Sequence, residues 1–136
     1  MRTKLYTFLG LAAAGLAALT LAGCLFGTEK IGTGDSVRTW HGGKLSRTYP
    51  VEFDRVWKAA SGAVHEMKLN VELEQADALV GRIKARRADD IVVRVDVDNV
   101  GAKLTSVVIW VGAIGTSRDK QSAMAVMDAI DRKLGK

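Results

Sequence analysis

The two histidines of this 136-residue sequence are side chains suited to act as a general base near neutral pH. A hydrolase triad needs such a base beside a nucleophile and an orienting group. His41 adjoins a predicted Gly-Gly turn, and His65 falls on the polar side of a predicted helix. No serine lies in a Gly-x-Ser-x-Gly pattern. We therefore interpret both histidines as surface residues and predict no catalytic residue.

Acidic residues offer a second kind of chemistry, because carboxylates are the ligands that hard cations prefer. Asp96 and Asp98 share one face of a predicted strand, so both could reach one cation. Arg94 shares that face, and the sequence has no calcium-binding loop of the helix-loop-helix type. We interpret these acids as part of a solvated face and predict neither a metal site nor a cofactor. A pocket near His41, or near Asp96 and Asp98, stays as the alternative.

Basic residues form a third group. Arg82, Lys84, Arg86 and Arg94 lie on two adjacent predicted strands and make a basic stripe. Such a stripe could contact anionic lipid headgroups or the carboxylates of cell-wall polymers. The alternative is an ordinary solvated sheet face. Trp40, the tryptophan nearest the N-terminal segment, is a further candidate for an exposed membrane or partner contact.

The N-terminal segment indicates where this chemistry would take place. A short basic opening precedes an apolar run over residues 5–19, and residues 21–24 read Leu-Ala-Gly-Cys. This layout is typical of a secretory signal peptide. The four residues resemble the bacterial lipobox, in which the matching cysteine is linked to diacylglycerol through a thioether before cleavage on its N-terminal side. The resemblance implies cleavage between Gly23 and Cys24 and a lipid on Cys24.

Two other interpretations of this segment stay open. Residues 5–26 are close to the length that an uncleaved signal anchor needs, since a transmembrane helix has about 20 apolar residues, although small residues at 12–15 dilute the run. Ordinary signal cleavage would instead leave Cys24 as a free thiol, and one cysteine allows no internal disulfide. Leu25, rather than an acid, follows the cysteine. By resemblance to enterobacterial lipoproteins, this implies anchoring in the outer membrane, facing the periplasm.

Length and charge limit the organisation of the rest. A net charge of +5 and a pI near 9.6 would suit nucleic acid, but a cell-envelope location argues against it, so we predict no nucleic-acid partner. Residues 1–23 are the predicted signal peptide. Residues 24–36 are the predicted lipidated cysteine and flexible tether. A tether of n residues would let the domain lie roughly 5–6 Å × √n from the membrane. Residues 37–136 form one predicted domain.

Hydrophobic periodicity predicts the elements of that domain. Short turns between consecutive strands require antiparallel pairing, and two amphipathic helices need one apolar face to cover. We therefore predict an α+β fold, a two-layer sandwich of an antiparallel four- to five-stranded meander sheet with two helices on one face, in the order β-α-β-β-β-β-α. The predicted elements are a hairpin over 37–41 and 44–49, a helix over 52–68, strands over 71–74, 79–86, 91–98 and 103–112, and a helix over 118–134.

The same periodicity assigns faces to particular residues. Trp57 lies on the apolar stripe of the first helix, which predicts a core position. Val71 and Leu73 share one face of the strand that follows. Trp110 shares a face of the last strand with Val108, and we interpret it as a core or edge contact. That strand is apolar on both faces, which predicts a central position in the sheet.

Three further segments carry a resemblance. Residues 43–45 read Gly-Lys-Leu, 53–60 read Phe-Asp-Arg-Val-Trp-Lys-Ala-Ala, and 108–112 read Val-Ile-Trp-Val-Gly. With the lipobox, they resemble an uncharacterised family of short bacterial lipoproteins, a domain of unknown function, over residues 42–134. The resemblance implies the same α+β domain, an envelope location and no catalytic residues. We expect a lipid-anchored, non-enzymatic binding or scaffolding module for an envelope protein or cell-wall partner. A small envelope enzyme or ligand carrier is the alternative.

Overall fold

A computed structural model describes residues 28–32, 37–112 and 119–136. The predicted signal peptide and Cys24 lie outside the described residues. Within the described ranges, no helix has the length and apolarity needed to cross a membrane. The elements are β1 (Glu29–Ile31), β2 (Arg38–His41), β3 (Lys44–Tyr49), α1 (Phe53–Glu66), β4 (Asn70–Ala76), β5 (Val80–Arg86), β6 (Val92–Gly101), β7 (Leu104–Val111) and α2 (Lys120–Leu134).

The predicted α+β class is confirmed, whereas the predicted sheet of four to five strands is too small. The sheet has seven antiparallel strands in the order β1-β2-β3-β7-β6-β5-β4. β7 is the middle strand, as predicted, because the meander closes when the last strand pairs with β3. β1 lies within the segment predicted as a tether and pairs with β2. Three residues are too few to show a period of two, so the sequence pattern did not reveal this strand.

Both helices pack on one face of the sheet, here called the inner face, and the opposite face is called the outer face. Alternate residues of β3, β5, β6 and β7 are buried against the helices, because side chains along a strand point to opposite faces. In register, Leu45 faces Ile109, Ile109 faces Val95, and Val95 faces Ile83. These four residues, all at most 1% exposed, form the centre of the core.

The predicted shared face of Val71 and Leu73 is wrong, whereas Trp110 shares a face with Val108 as predicted but does not lie in the core. A β-bulge separates Val71 from Leu73, so Val71 is opposite Ala85 on the inner face and Leu73 is opposite Lys84 on the outer face. The extra residue of a bulge reverses the alternation that the prediction assumed. Trp110 lies on the outer face, since the buried residues of β7 are its alternate partners, such as Ile109.

The helix ends follow from local chemistry. α2 begins after Asp119, whose carboxylate accepts the backbone N–H of Ser122 at 2.9 Å, and it ends at Gly135 with a left-handed φ of 75°. Hydrogen bonds from Ser122 and from Arg87 lower the pKa of Asp119. Because Arg87 follows β5, its 3.0 Å bond to Asp119 ties the start of α2 to the sheet.

Trp57 joins α1 to the sheet. It is half-buried and packs against the core rather than lying fully within it. Its ring covers Gly81 of β5 so closely that a Cβ atom there would be 2.4 Å from the ring. Glycine at this position therefore allows α1 to approach the sheet.

Candidate functional site

A line of basic and aromatic side chains crosses the outer face, one from each neighbouring strand. In register, Leu73 of β4 is opposite Lys84 of β5, Lys84 is opposite Arg94 of β6, and Arg94 is opposite Trp110 of β7. Lys44 of β3 lies beside Trp110. Facing residues on adjacent strands have Cβ atoms about 4.5–5.5 Å apart, so these side chains form one continuous surface. We call Lys44, Trp110, Arg94 and Lys84 the basic row.

Trp110 lies between two cations of the basic row. The Nζ atom of Lys44 is 5.2 Å from the ring centroid, and the Cζ atom of Arg94 is 4.8 Å from it. Both distances fall within the range of cation–π attraction, which contributes about 0.5–1 kcal/mol at exposed sites. The indole thus contacts a cation from each of the two strands beside β7.

The basic row lines an open cleft of about 830 Å³. Arg82 adds a fourth cation, and it lies between Gln75 and Asp96 in register on the outer face. Leu73, which is 41% exposed, and Val92 supply apolar lining. The cleft therefore combines several cations with apolar surface, which suits an anionic ligand that has an apolar part.

Carboxylates neutralise part of this positive charge. Asp96 is 7% exposed and lies 3.3 Å from the Nε atom of Arg94. Glu72 accepts a 2.7 Å hydrogen bond from Arg86 and lies 3.8 Å from Lys84. The bond from Arg86 is the main cause that lowers the pKa of Glu72.

Two cations of the outer face form no ion pair with any described carboxylate. Within the described part of the chain, the ammonium of Lys44 and the guanidinium of Arg82 have no ion pair, and both residues are exposed. Since each is exposed and forms no ion pair among the described residues, a ligand could bind it without breaking an ion pair.

The structure brings the predicted basic stripe onto one face but places the predicted tryptophan elsewhere. Arg82, Lys84 and Arg94 line the cleft, whereas Arg86 is held by Glu72 outside its lining. Trp40 is half-buried on the inner face, where it is opposite Leu45 and packs against the core.

Trp110 takes the position beside the cations, and sequence analysis missed both Trp110 and Lys44. The signal that could have found Trp110 is the register of the β6–β7 hairpin, which sets Arg94 opposite it. Lys44 gives no such local signal, because it reaches the row only through the pairing of β3 with β7.

The histidines do not join this cleft. The Nδ1 atom of His41 is 2.8 Å from the Oγ1 atom of Thr28, and β3 and β7 lie between His41 and Asp96. The Nε2 atom of His65 is 3.0 Å from Glu74, to which Ser61 also donates. In a triad the base must contact the nucleophile, whereas here both side chains contact the same acid.

The contacts of Glu74 change its pKa, and the described residues form no metal-binding cluster around it. The hydroxyl of Ser61, followed by His65, lowers the pKa of Glu74. Among the residues that the structure describes, no three His, Cys, Asp or Glu side chains are grouped to hold a metal ion.

A second charged cluster is buried between the sheet and α2. Asp131, which is 7% exposed, forms ion pairs with Arg38 of β2 and with Arg47 of β3, the latter at 2.7 Å. The hydroxyl of Tyr49 donates to it at 2.5 Å, and Arg38 also contacts Asp128 at 2.6 Å. Burial, then the bond to Asp131, raises the pKa of Tyr49. These contacts fix α2 on the strands, and sequence analysis missed them.

One comparison with known proteins yields a match. A family model described as "Protein of unknown function (DUF3568)" matches residues 6–133. No curated protein matches the chain. The matched range starts within the apolar N-terminal run and ends in the last turn of α2, so it includes the whole sheet and the basic row.

Proposed function

This chain belongs to the DUF3568 family of proteins of unknown function, and we propose that it is a bacterial envelope lipoprotein that binds an anionic partner through its outer face. The observation that carries the proposal is the basic row on a sheet face that neither α1 nor α2 covers. On this proposal the protein is a non-enzymatic binding module, and the cations attract the partner by charge while Trp110 and Leu73 contact its apolar part.

The Leu-Ala-Gly-Cys segment supports the anchor of this proposal. A thioether-linked diacylglycerol with an additional acyl chain on Cys24 would hold the protein to a membrane, because each buried methylene contributes about 0.8 kcal/mol. Leu25 directs the proposed lipoprotein to the outer membrane, where the domain would face the periplasm.

The anchor is tested by the intact mass of the protein purified from bacterial membranes. We expect a chain that begins at Cys24 and is heavier than its sequence by several acyl groups. The variant Cys24→Ser should lack this mass, because serine has no thiol to form the thioether. An unmodified wild-type chain, or one that keeps residues 1–23, would contradict the anchor.

Anion binding by the outer face is tested by the salt concentration that elutes the detergent-purified protein from immobilised dextran sulfate. Lys44→Gln/Arg82→Gln removes two free charges from the outer face and should elute at lower salt, since exposed charges are screened by salt. Arg55→Gln/Lys58→Gln removes two charges from the exposed side of α1 and should elute close to the wild type.

Because the two variants carry the same net charge, a difference between them reports the position of the charge. Equal elution would show that total charge governs binding, and it would exclude the outer face as the binding surface.

A further inference from the structure

The basic row begins at the point where the N-terminal segment joins the sheet. The Oγ1 atom of Thr28 bonds to His41 of β2, and His41 is opposite Lys44, the first residue of the basic row. β1 and β3 are two strand spacings apart, which is about 10 Å. Thr28, His41 and the basic row therefore form one line across the sheet.

The distance from this line to the proposed lipid is short. Thr28 follows Cys24 by four residues, which span at most about 14 Å when fully extended. Glu29 is held in β1 by pairing with Trp40 and by an ion pair with Lys120 at 2.5 Å. Thr28 is therefore the described residue at which the sheet lies nearest in the chain to the proposed anchor.

We propose that the basic row docks on the anionic phospholipid headgroups of the membrane that holds the anchor, so that the outer face lies against that membrane. This inference rests on the proposed function for its anchor. It commits to phospholipid headgroups, because the row of cations starts about 10 Å from Thr28, and Thr28 itself lies at most about 14 Å from the lipid-bearing residue, so the row is within reach of that surface.

The side chains of the cleft fit a membrane surface. Lys44, Arg94 and Lys84 extend over three strand spacings, about 14 Å, and can contact several headgroups at once. Trp110 stands among them, and tryptophan is enriched at the boundary between headgroups and acyl chains. The exposed Leu73 continues the line at the edge strand.

Docking is tested by measuring how strongly acrylamide quenches a fluorophore on the acylated protein in vesicles. A fluorophore that lies against the membrane is protected from quenching. The label is attached at Gln75→Cys on the outer face or, as the matched control, at Lys58→Cys on α1, and both native residues are exposed. We expect the label at position 75 to be protected in vesicles of phosphatidylcholine with phosphatidylglycerol, and not in phosphatidylcholine alone. The label at position 58 should stay accessible in both.

Charge variants then identify the contact. Each cation near an anionic surface changes partitioning about fivefold, so Lys44→Gln/Arg82→Gln should lower the ratio of docked to free domain about 25-fold. Lys44→Arg/Arg82→Lys should retain docking, and Arg55→Gln/Lys58→Gln, combined with the label at position 75, should leave it unchanged. Protection of position 58 instead, or an unchanged Lys44→Gln/Arg82→Gln variant, would overturn the proposal.

A longer linker distinguishes docking on the membrane from binding to a more distant partner. A Gly/Ser insert of about 20 residues between Leu25 and Thr28 would let the domain move further from the membrane. This distance grows as the square root of the number of linker residues, so membrane docking should fall about twofold. A cell-wall partner would instead gain occupancy from the longer reach, and protection by peptidoglycan fragments but not by anionic vesicles would also overturn docking.

The two proposals fail separately. Acylation is measured by mass and docking by fluorescence. If the chain were not acylated, the protein could be added to preformed anionic vesicles, and protection of position 75 there would still report the contact with headgroups.

Discussion

At the scale of single residues, the buried Asp131 of α2 connects three side chains of the sheet to that helix. Arg38, Arg47 and Tyr49 all contact its carboxylate, so one acid connects α2 to β2 and β3. Two buried guanidinium groups without a carboxylate would be costly, because desolvation of a charge is repaid only by a partner. The cluster is therefore a structural connection between the layers.

Asp131→Asn should destabilise the protein by about 3 kcal/mol, because it leaves Arg38 and Arg47 without the charge that they share. Tyr49→Phe removes one hydrogen bond to a charged group and should cost about 1.5–3 kcal/mol. Equilibrium unfolding in urea measures both changes.

Asp128→Asn is the control for this cluster. Asp128 also contacts Arg38, but its side chain is 52% exposed, so the loss should not exceed about 1 kcal/mol. Equal losses for the variants of Asp128 and Asp131 would show that burial does not distinguish them, and the structural role of Asp131 would be wrong.

At the scale of elements, α1 takes part in two contacts that involve a glycine. The contacts differ in what a Cβ atom added at the glycine would meet. Gly81 of β5 lies under the ring of Trp57, where a Cβ would be 2.4 Å from ring carbon. Gly62 of α1 faces the flexible end of Lys133, where a Cβ would be 3.4 Å from the nearest atom. The first neighbour cannot move without shifting the helix, whereas the second can.

Gly81→Ala should therefore destabilise the protein by about 1–3 kcal/mol through overpacking. Gly62→Ala should stabilise it by up to about 1 kcal/mol, because alanine is the better helix former and its methyl group is accommodated. Thermal unfolding of the two variants measures opposite shifts of Tm. Adding Trp57→Leu should relieve part of the effect of Gly81→Ala, and an absence of relief would contradict the close contact.

At the scale of the whole molecule, the two faces of the sheet have different roles. The inner face carries the core and the cluster around Asp131, so its side chains determine stability. The outer face carries the basic row and Arg82, whose exposed cations contribute little to stability and can be replaced without disturbing the fold. The proposed membrane contact follows from this separation together with the short distance between Cys24 and Thr28. Screening by salt should weaken that contact while leaving the fold intact.

Local sequence patterns predict both helices, the antiparallel strands from β3 to β7 and the α+β class, because periods of 3.6 and 2 are local properties of the chain. The sequence also places Arg82, Lys84 and Arg94 on one face, since alternate residues of a strand share a face and a short hairpin sets the register of its two strands. The predicted lipid site at Cys24 and the absence of catalytic and metal residues remain predictions from sequence.

Long-range packing and strand pairing determine which face the helices cover, which strands close the sheet and which tryptophan joins the cations. Parity shows that two residues share a face, but packing determines whether that face is buried. The pairing of β3 with β7 brings Lys44 to Trp110, and the bulge in β4 turns Leu73 outward. These arrangements join residues far apart in the chain or depend on one added residue, so no local period could reveal them.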